Sequence, residues 1–407
     1  MKSLGLVMDK PYSVWRMLPE GDTVLVGMLV LTVSDSRKII NVRFQYTREY
    51  IRQGLAPLDP VNVPVQTRMI QFETNGQLPG FIDDCIPDAW GQKVIAASCK
   101  LSFMGKSDIL DALPKAVVGD TIITTLNVEP KFDLGLSLSN LKTLKADDFN
   151  DNLDRLNVDY DGLKTLLQGG SGVGGARPKL LVSEASGSYI YKFNRSQDSI
   201  DVAANEWASL EVMRQADINL DVCEAKIDYL LGRKFLKVKR FDVSEEGRYR
   251  LITLNGLLKT PLQEDNPFPS YDGIANIIKR HSISVEKDLK QLISQALFNQ
   301  ALNNTDDHLR NFSFINKGKG YQLSPAYDVL PSDTVGAYHQ LTLCQGFIPT
   351  LEQADKLIKQ GQMGCFFDLD KTSCKKIVGS IRESMQDFQR FVDLHLGSTE
   401  GAFLPHE

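Results

Sequence analysis

A chain of 407 residues is long enough for two or three folding units with substantial cores. At 42% hydrophobic and 24% charged residues it has the make-up of a globular protein, which excludes a disordered or fibrous one. The formal charge of −5 gives no electrostatic footprint for nucleic-acid binding by this chain alone.

The six cysteines, Cys85, Cys99, Cys223, Cys344, Cys365 and Cys374, are scattered without a CxxC pair. That pattern indicates neither a disulfide framework nor a zinc site, and it fits a reduced, cytoplasmic compartment. The apolar run VLVGMLVLTV, from Val24 to Val33, is about half of the ~20 residues that a bilayer span needs. The amino terminus meets Asp9 and Lys10 before a signal-peptide core develops. A soluble cytoplasmic protein without membrane contact is expected.

In chain order, β-strands are predicted over Ser13–Met17, Val24–Val33 and Ile39–Tyr46, followed by the extended, proline-rich APLDPVNVPV. LPGFIDDCIPDAWGQKVIAA passes from loop into helix, TIITTLNVEP is a short strand, and LKADDFNDNLDRLN is polar helix or linker. A boundary near residue 145 follows. GGSGVGGARPKLLVSEASGSYIYKFN then reads as a glycine-rich loop, a strand over Lys179–Ser183, a turn at Ala185–Ser188 and a strand over Tyr189–Phe193. In DVAANEWASLEVMRQA, Ala203, Trp207, Leu210 and Met213 share one helical face, and DVCEAKIDYLLGRKFLKVKRFD alternates around a Gly turn as a hairpin.

From about residue 250 the pattern is helical. Leu289, Leu292, Ile293, Ala296, Leu297 and Ala301 mark a buried helix that ends directly on NNTDDHLRN. A small hairpin over Phe312–Ser324 and the segment PAYDVLPS follow, and SCKKIVGSIRESMQDFQRFVDLHL reads as one long amphipathic helix. The expected domains are 1–145, β-rich with a linker; 146–245, binding nucleotide; and 246–407, a helical catalytic lobe.

The octet NTDDHLRN, Asn304 to Asn311, is either a solvated turn or a reaction centre. Phosphoryl transfer needs little covalent work from a protein: oxygen ligands for metal ions, donors around the phosphates and a carboxylate beside the attacking hydroxyl. The protein-kinase catalytic loop places its Asp base five residues before a metal-binding Asn. Asp306 stands five residues before Asn311, a hairpin follows, and Asp328 lies just beyond it. The order helix, Asp, Asn, hairpin, Asp carries the reading more than the spacing does. Asp307 falls outside that spacing, and His308 is better explained as a hydrogen-bonded support of the loop than as an acid or base. No pair among the five histidines has metal-ligand spacing, which argues against a zinc hydrolase.

Upstream, Gly170, Gly172 and Gly175 satisfy GxGxxG. A Rossmann site would need a helix directly after them, whereas the strand KLLVSE follows; a Walker loop would need Gly-Lys-Ser/Thr, whereas Ala176 and Arg177 follow. A loop flanked by strands remains, with Lys192 on the second strand able to reach phosphates. Lys192 shares a strand face with Ile190 and Asn194, which leaves its exposure open. Alternation sends Lys237 and Lys239 to one side together, favouring a solvated face, and Trp90 and Trp207 read as core.

Taken together, GGARPKLLV, YIYKF, NEWASL, VKRFD, NTDDHLRNFSF and LSPAYDVLPS resemble the HipA family of serine/threonine-kinase toxins from bacterial toxin–antitoxin modules. FQYTREYI, PLDPVNVPV and LPGFIDDCIPDAWG look like that family's amino-terminal domain, so the likeness runs from about residue 40 to 335. The resemblance implies an α+β, protein-kinase-like two-lobed fold with a β-rich N-terminal domain and a mostly helical C-terminal lobe. It makes Asp306 the catalytic base, Asn311 and Asp328 the Mg2+ ligands, and Lys192 the phosphate-contacting lysine, with Glu206 its partner. Gly172, Val173, Gly174 and Gly175 would cover the phosphates of ATP, Lys239 to Phe241 would meet the adenine through backbone groups, and Asp242 would lie near the ribose.

Family members often carry an autophosphorylated serine seven residues before the lysine matched by Lys179. Here that place is Gly172, with Ser171 one step away, so Ser171 is expected to be at best a weak site. The resemblance also implies a small DNA-binding, HipB-like antitoxin as partner, with DNA reached only through it. It further implies a protein substrate such as an aminoacyl-tRNA synthetase or another translation factor. A catalytically silent module that binds ATP or the antitoxin is the alternative from another class.

Overall fold

The computed structural model describes residues 7–100, 104–113, 117–142, 145–147, 149, 177–259, 269–332, 338–343, 346–364 and 367–396. The chain divides into two compact units. One comprises Met1–Tyr191, Asp242–Pro267 and Ile315–Gly318, the other Lys192–Phe241, Phe268–Phe314 and Lys319–Glu407.

In the first unit, β1 (Val7–Met17), β2 (Thr23–Ser34), β3 (Ile39–Tyr46), β4 (Ile70–Glu73) and β5 (Thr121–Thr125) form an antiparallel sheet in the order β4-β3-β2-β1-β5. Strand β1 begins six residues before the expected start and contains Pro11. This is tolerated because β5 pairs with β1 only from Tyr12 onward, so Pro11 has a single strand neighbour. The buried face carries Tyr12, Val14, Leu29, Leu31, Val42 and Phe44, the alternation that a sheet covered on one side requires. Gly27 sits where a Cβ would lie 2.4 Å from the Gln45 carbonyl oxygen and 2.7 Å from the Phe44 ring, so strand approach there demands glycine. Later in this unit, β6 (Leu136–Ser137) runs parallel to β7 (Lys179–Glu184), and β8 (Gly187–Phe193) follows, its last two residues belonging to the second unit.

The first unit also buries a charged knot. Asp120, fully buried, accepts from the Arg16 guanidinium and lies 3.4 Å from that of Arg250. Removing the carboxylate would strand two arginines in the interior. Asp120→Ala is therefore expected to cost about 3–5 kcal/mol, read as a lowered midpoint in urea denaturation.

In the second unit, β9 (Ala225–Leu230) and β10 (Arg233–Lys239) form the predicted hairpin. Its two-residue turn, Leu231 and Gly232, has both φ angles positive, which matches the twist of paired strands. The helix Val202–Gln215 is capped by Asp201, whose carboxylate accepts from the Ala204 N–H. Asn194, just past β8, donates to the same carboxylate and accepts from the Ala203 N–H, clamping strand end to helix start.

The helix Val285–Ala301 is buried around most of its circumference. Beside the apolar stripe read from sequence it buries a polar one, Asp288, Gln291, Gln295 and Asn299, at successive three- and four-residue steps. Asp288 accepts from the Leu323 N–H and Gln291 donates to the Ser324 carbonyl, which holds the end of the hairpin made by β12 (Ser313–Asn316) and β13 (Tyr321–Leu323). The intervening β11 spans Arg250–Thr253.

The carboxy-terminal tail departs from expectation. It is two helices, Lys371–Met385 and Phe388–Asp393, separated by a tight turn in which the Gln386 N–H bonds to the Glu383 carbonyl and the Asp387 N–H to that of Ser384. The turn sends Phe388, Phe391 and Val392 inward, with the Phe391 ring edge-on to half-buried Trp207 at 5.8 Å. Trp90, as expected, is buried. No described helix is long and apolar enough to cross a membrane.

Candidate active site

The helix Val285–Ala301 ends because Asn303 takes a left-handed backbone, φ +53°, a conformation that Asn tolerates. The chain then enters the octet, tied down at once by the Asn304 amide donating to Asn299. The two adjacent aspartates diverge. Asp306 has its side chain 74% exposed, while that of Asp307 is completely buried.

Asp307 is the hub beneath the loop. Its carboxylate accepts from the Tyr271 hydroxyl at 2.9 Å and the Gln340 backbone N–H at 2.8 Å, with His339 Nδ1 3.3 Å away. The Asn299 amide donates to the Tyr271 oxygen at 2.9 Å. Burial, and then the Asp307 charge, push the Tyr271 phenol well above its usual range, so it stays a donor. Above this hub, Gln340 Nε2 donates to Asp306 Oδ1 at 2.8 Å and fixes the exposed carboxylate.

Asn311 donates its amide N–H to the Asp306 carbonyl at 2.8 Å, which turns its Oδ1 the opposite way. The same amide lies 3.5 Å from the Asp328 carbonyl. Asp328 is carried by a short segment pinned from two sides. The Cys223 N–H bonds to the Ala326 carbonyl and the Ala326 N–H to that of Asp221, while the Tyr327 hydroxyl donates to the Arg310 carbonyl. Asp328 itself holds φ +56°, in the left-handed region that Asp tolerates better than most residues with a Cβ.

Lys192 completes the set. Its ammonium, with the side chain 10% exposed, donates to Glu206 Oε1 and Asp328 Oδ1, each at 2.6 Å. Burial alone would depress this amine, but the charges of Asp328 and Glu206 outweigh it and raise the group above the ordinary lysine range. The exposure that alternation left open is thus settled, and Glu206 stands where the resemblance put it.

Asp306, Asn311, Asp328, Lys192 and Glu206 all belong to the second unit. The three carboxylates outnumber the one ammonium and leave the group net negative. The Asp328 carboxylate and Asn311 amide oxygen are hard ligands of the kind that hold Mg2+ together with substrate phosphates, so the donor set fits that ion. Among the described residues no group of three or more His, Cys, Asp or Glu side chains is arranged to hold a metal by itself.

Other sequence-predicted residues are placed differently. The Lys239 backbone N–H donates to the Glu224 carbonyl and its ammonium lies 3.0 Å from the Glu224 carboxylate. Phe241 packs on Tyr327 at 5.7 Å, beside Asp328. Asp242 belongs to the first unit, is buried, and accepts from the Gly119 N–H at 2.6 Å, so its carboxylate is committed to the fold. Lys237 and Lys239 do not share a solvated face: Lys237 is buried and Lys239 exposed, because β10 is covered on both faces from Phe235 to Val238 and emerges only at its end. Ser171, Gly172, Val173, Gly174 and Gly175 lie outside the described residues.

Sequence reasoning did not find Tyr271, His339 or Gln340. The first two are single polar residues more than thirty positions from Asp307 in each direction, without a motif of their own. The His308 ring, expected as a support, has its Nδ1 buried without a hydrogen-bond partner.

Comparison with known proteins supplies a second line. Residues 171–388 match the family model described as HipA-like C-terminal domain, and residues 22–123 that described as HipA N-terminal domain. A Sinorhizobium fredii protein named "Putative kinase Y4mE" is 30% identical over 135 residues, covering 29% of this chain and 30% of that protein. A Haemophilus influenzae protein named "Putative kinase" is 26% identical over 202 residues, covering 44% of this chain and 58% of that protein. The chain therefore spans less than two thirds of the length of either curated relative. Among solved structures, the Shewanella oneidensis toxin–antitoxin complex of HipA, HipB and operator DNA contains a chain matching with a TM-score of 0.62 at 16% identity, over 95% of this chain and 92% of that one. That likeness shows the fold, and the expected class, β-rich at the start and helical at the end, is the one found.

The two aspartates should separate in a stability measurement. Asp307→Ala leaves a buried phenol and a backbone N–H without their acceptor and is expected to cost about 2–4 kcal/mol in urea denaturation. Asp306→Ala should change stability by less than about 1 kcal/mol.

Proposed function

Since the chain belongs to the HipA family, we propose that it is an ATP-dependent serine/threonine protein kinase acting as the toxin of a toxin–antitoxin module. The observation that carries this reading is the Lys192–Glu206–Asp328 ion-pair set within the same unit as Asp306 and Asn311. A buried lysine bridging a helix carboxylate and an aspartate supports a nucleotide site, and Asp306 and Asn311 beside it favour transfer over silent binding.

In this reading Asp306 accepts the proton of a serine or threonine hydroxyl as its oxygen bonds the γ-phosphorus and ADP departs. Its exposure is what a base needs to meet a protein substrate, and Gln340 keeps one carboxylate oxygen oriented. An ammonium has three N–H donors; two of those of Lys192 go to carboxylates, and the third suits a phosphate oxygen. Asn311 and Asp328 would hold Mg2+, which when bound supplies positive charge to the phosphates. Glu206 keeps Lys192 charged and directed. The backbone of Arg240 and Phe241 would meet the adenine, the Lys239 N–H being already engaged.

The substrate class proposed is a translation-related protein, such as an aminoacyl-tRNA synthetase, and the partner a small HipB-like antitoxin. Any contact with DNA would run through that partner, since this chain carries a formal charge of −5.

Asp306→Asn and Asp328→Asn are each expected to lower transfer of γ-labelled phosphate from Mg-ATP to lysate proteins by about a hundredfold or more, with unchanged circular dichroism. Wild-type transfer by either variant would overturn the assignment. Nucleotide binding with no transfer by the wild type would identify the silent module instead.

A further inference from the structure

Beyond the base and the metal ligands, the second unit carries an aromatic feature that the chemistry above does not use. Tyr338 and Phe347 are 77% and 79% exposed, yet their rings are stacked, with centroids 5.6 Å apart and planes at 22°. Single exposed apolar residues are common, whereas contiguous exposed apolar surface, rich in aromatic rings, is what interaction sites present.

The pair is fastened to the catalytic loop. Residues 338–343 alternate: Tyr338, Gln340 and Thr342 point outward, while His339, Leu341 and Leu343 point inward. The inward row is held by Asp307, which lies 3.3 Å from His339 and accepts the Gln340 N–H, and by the Tyr271 N–H donating to the Thr342 carbonyl. The return is closed by reciprocal backbone bonds between Leu343 and Gly346, which brings Phe347 back onto Tyr338. Gln340, in the outward row, donates to Asp306. Tyr338 is two residues along that row, about 6–7 Å away. The aromatic pair thus lies on the strip whose Gln340 also binds Asp306.

We propose that Tyr338 and Phe347 form a platform for the acceptor polypeptide. It would take an aromatic or large aliphatic side chain within about four residues of the serine or threonine to be phosphorylated, the distance an extended segment covers at ~3.3 Å per residue. This rests on the kinase reading above and deepens it. The occupant is an extended acceptor segment because only the acceptor must bring a hydroxyl to Asp306, and a stacked ring pair offers π-faces and edges to one large apolar side chain.

The test uses the full chain with Mg-ATP and a positional-scanning peptide library, Ser or Thr at the centre and each flanking position fixed in turn, alongside a whole-cell lysate as acceptor. The wild type is expected to favour Phe, Tyr, Trp, Leu or Met over Ala or Lys at one flanking position by roughly tenfold, the size that burying one large apolar side chain brings. Tyr338→Ser and Phe347→Ser should each flatten that preference, and Tyr338→Phe should keep it. Because the readout is a ratio between peptides, a general loss of activity does not mimic it.

If the wild type transfers phosphate to no peptide and no lysate protein, the kinase reading fails, and this inference with it. If it phosphorylates lysate proteins but shows no apolar preference, phosphorylates no peptide, or keeps its preference in both serine variants, the platform alone is overturned. A change of oligomeric state on size-exclusion chromatography of Tyr338→Ser, with peptide preference intact, would assign the rings to a second copy of the chain and likewise overturn it.

Discussion

An ammonium group removed from water must find negative charge or lose its proton, and that constraint organises the second unit. Lys192 is answered by Glu206, from the helix Val202–Gln215, and by Asp328, from the segment beyond the hairpin. Three stretches far apart in sequence are thereby made mutually dependent. If any of the three shifts, a charge is left without its counterpart in a low-dielectric setting. The supports are correspondingly dense. Asn194 clamps strand to helix, Asp221 and Cys223 hold Ala326, and Asp288 and Gln291 hold the end of the hairpin.

The second organising feature is the division of labour between neighbouring aspartates. Consecutive residues in an extended loop point to opposite sides, and here one side is interior and the other solvent. Asp307 gives its oxygens to structure, and Asp306 keeps its side chain in water under the guidance of Gln340. A solvent-facing carboxylate and a scaffold carboxylate are thus the same residue type, one position apart.

How much of this can be read from the chain alone follows from what is local. The first three strands of the five-stranded sheet, the β9–β10 hairpin and the helix before the octet are periodic over short windows, so they are legible. The order of Asp306, Asn311 and Asp328 around a hairpin is legible because all three lie within one short stretch of chain. The polar stripe Asp288, Gln291, Gln295 and Asn299 is not, since a polar face on an amphipathic helix ordinarily signals solvent, and only tertiary contacts show that its groups are spent inside. The break between Met385 and Phe388 is hidden for the opposite reason: apolar positions continue at helical steps across it, with no glycine or proline to mark the turn. Lys237 escapes because alternation reports parity and not whether the second face is covered.

The backbone at position 328 has one more consequence. A left-handed conformation is readily held by glycine, asparagine or aspartate and poorly by most other residues. The substitutions that geometry welcomes there are thus the very ones that delete a negative charge. Asparagine at 328 would suit the backbone and yet remove one of the two charges that answer Lys192. A chain so altered need not look broken, and backbone shape alone will not reveal whether position 328 still carries its charge.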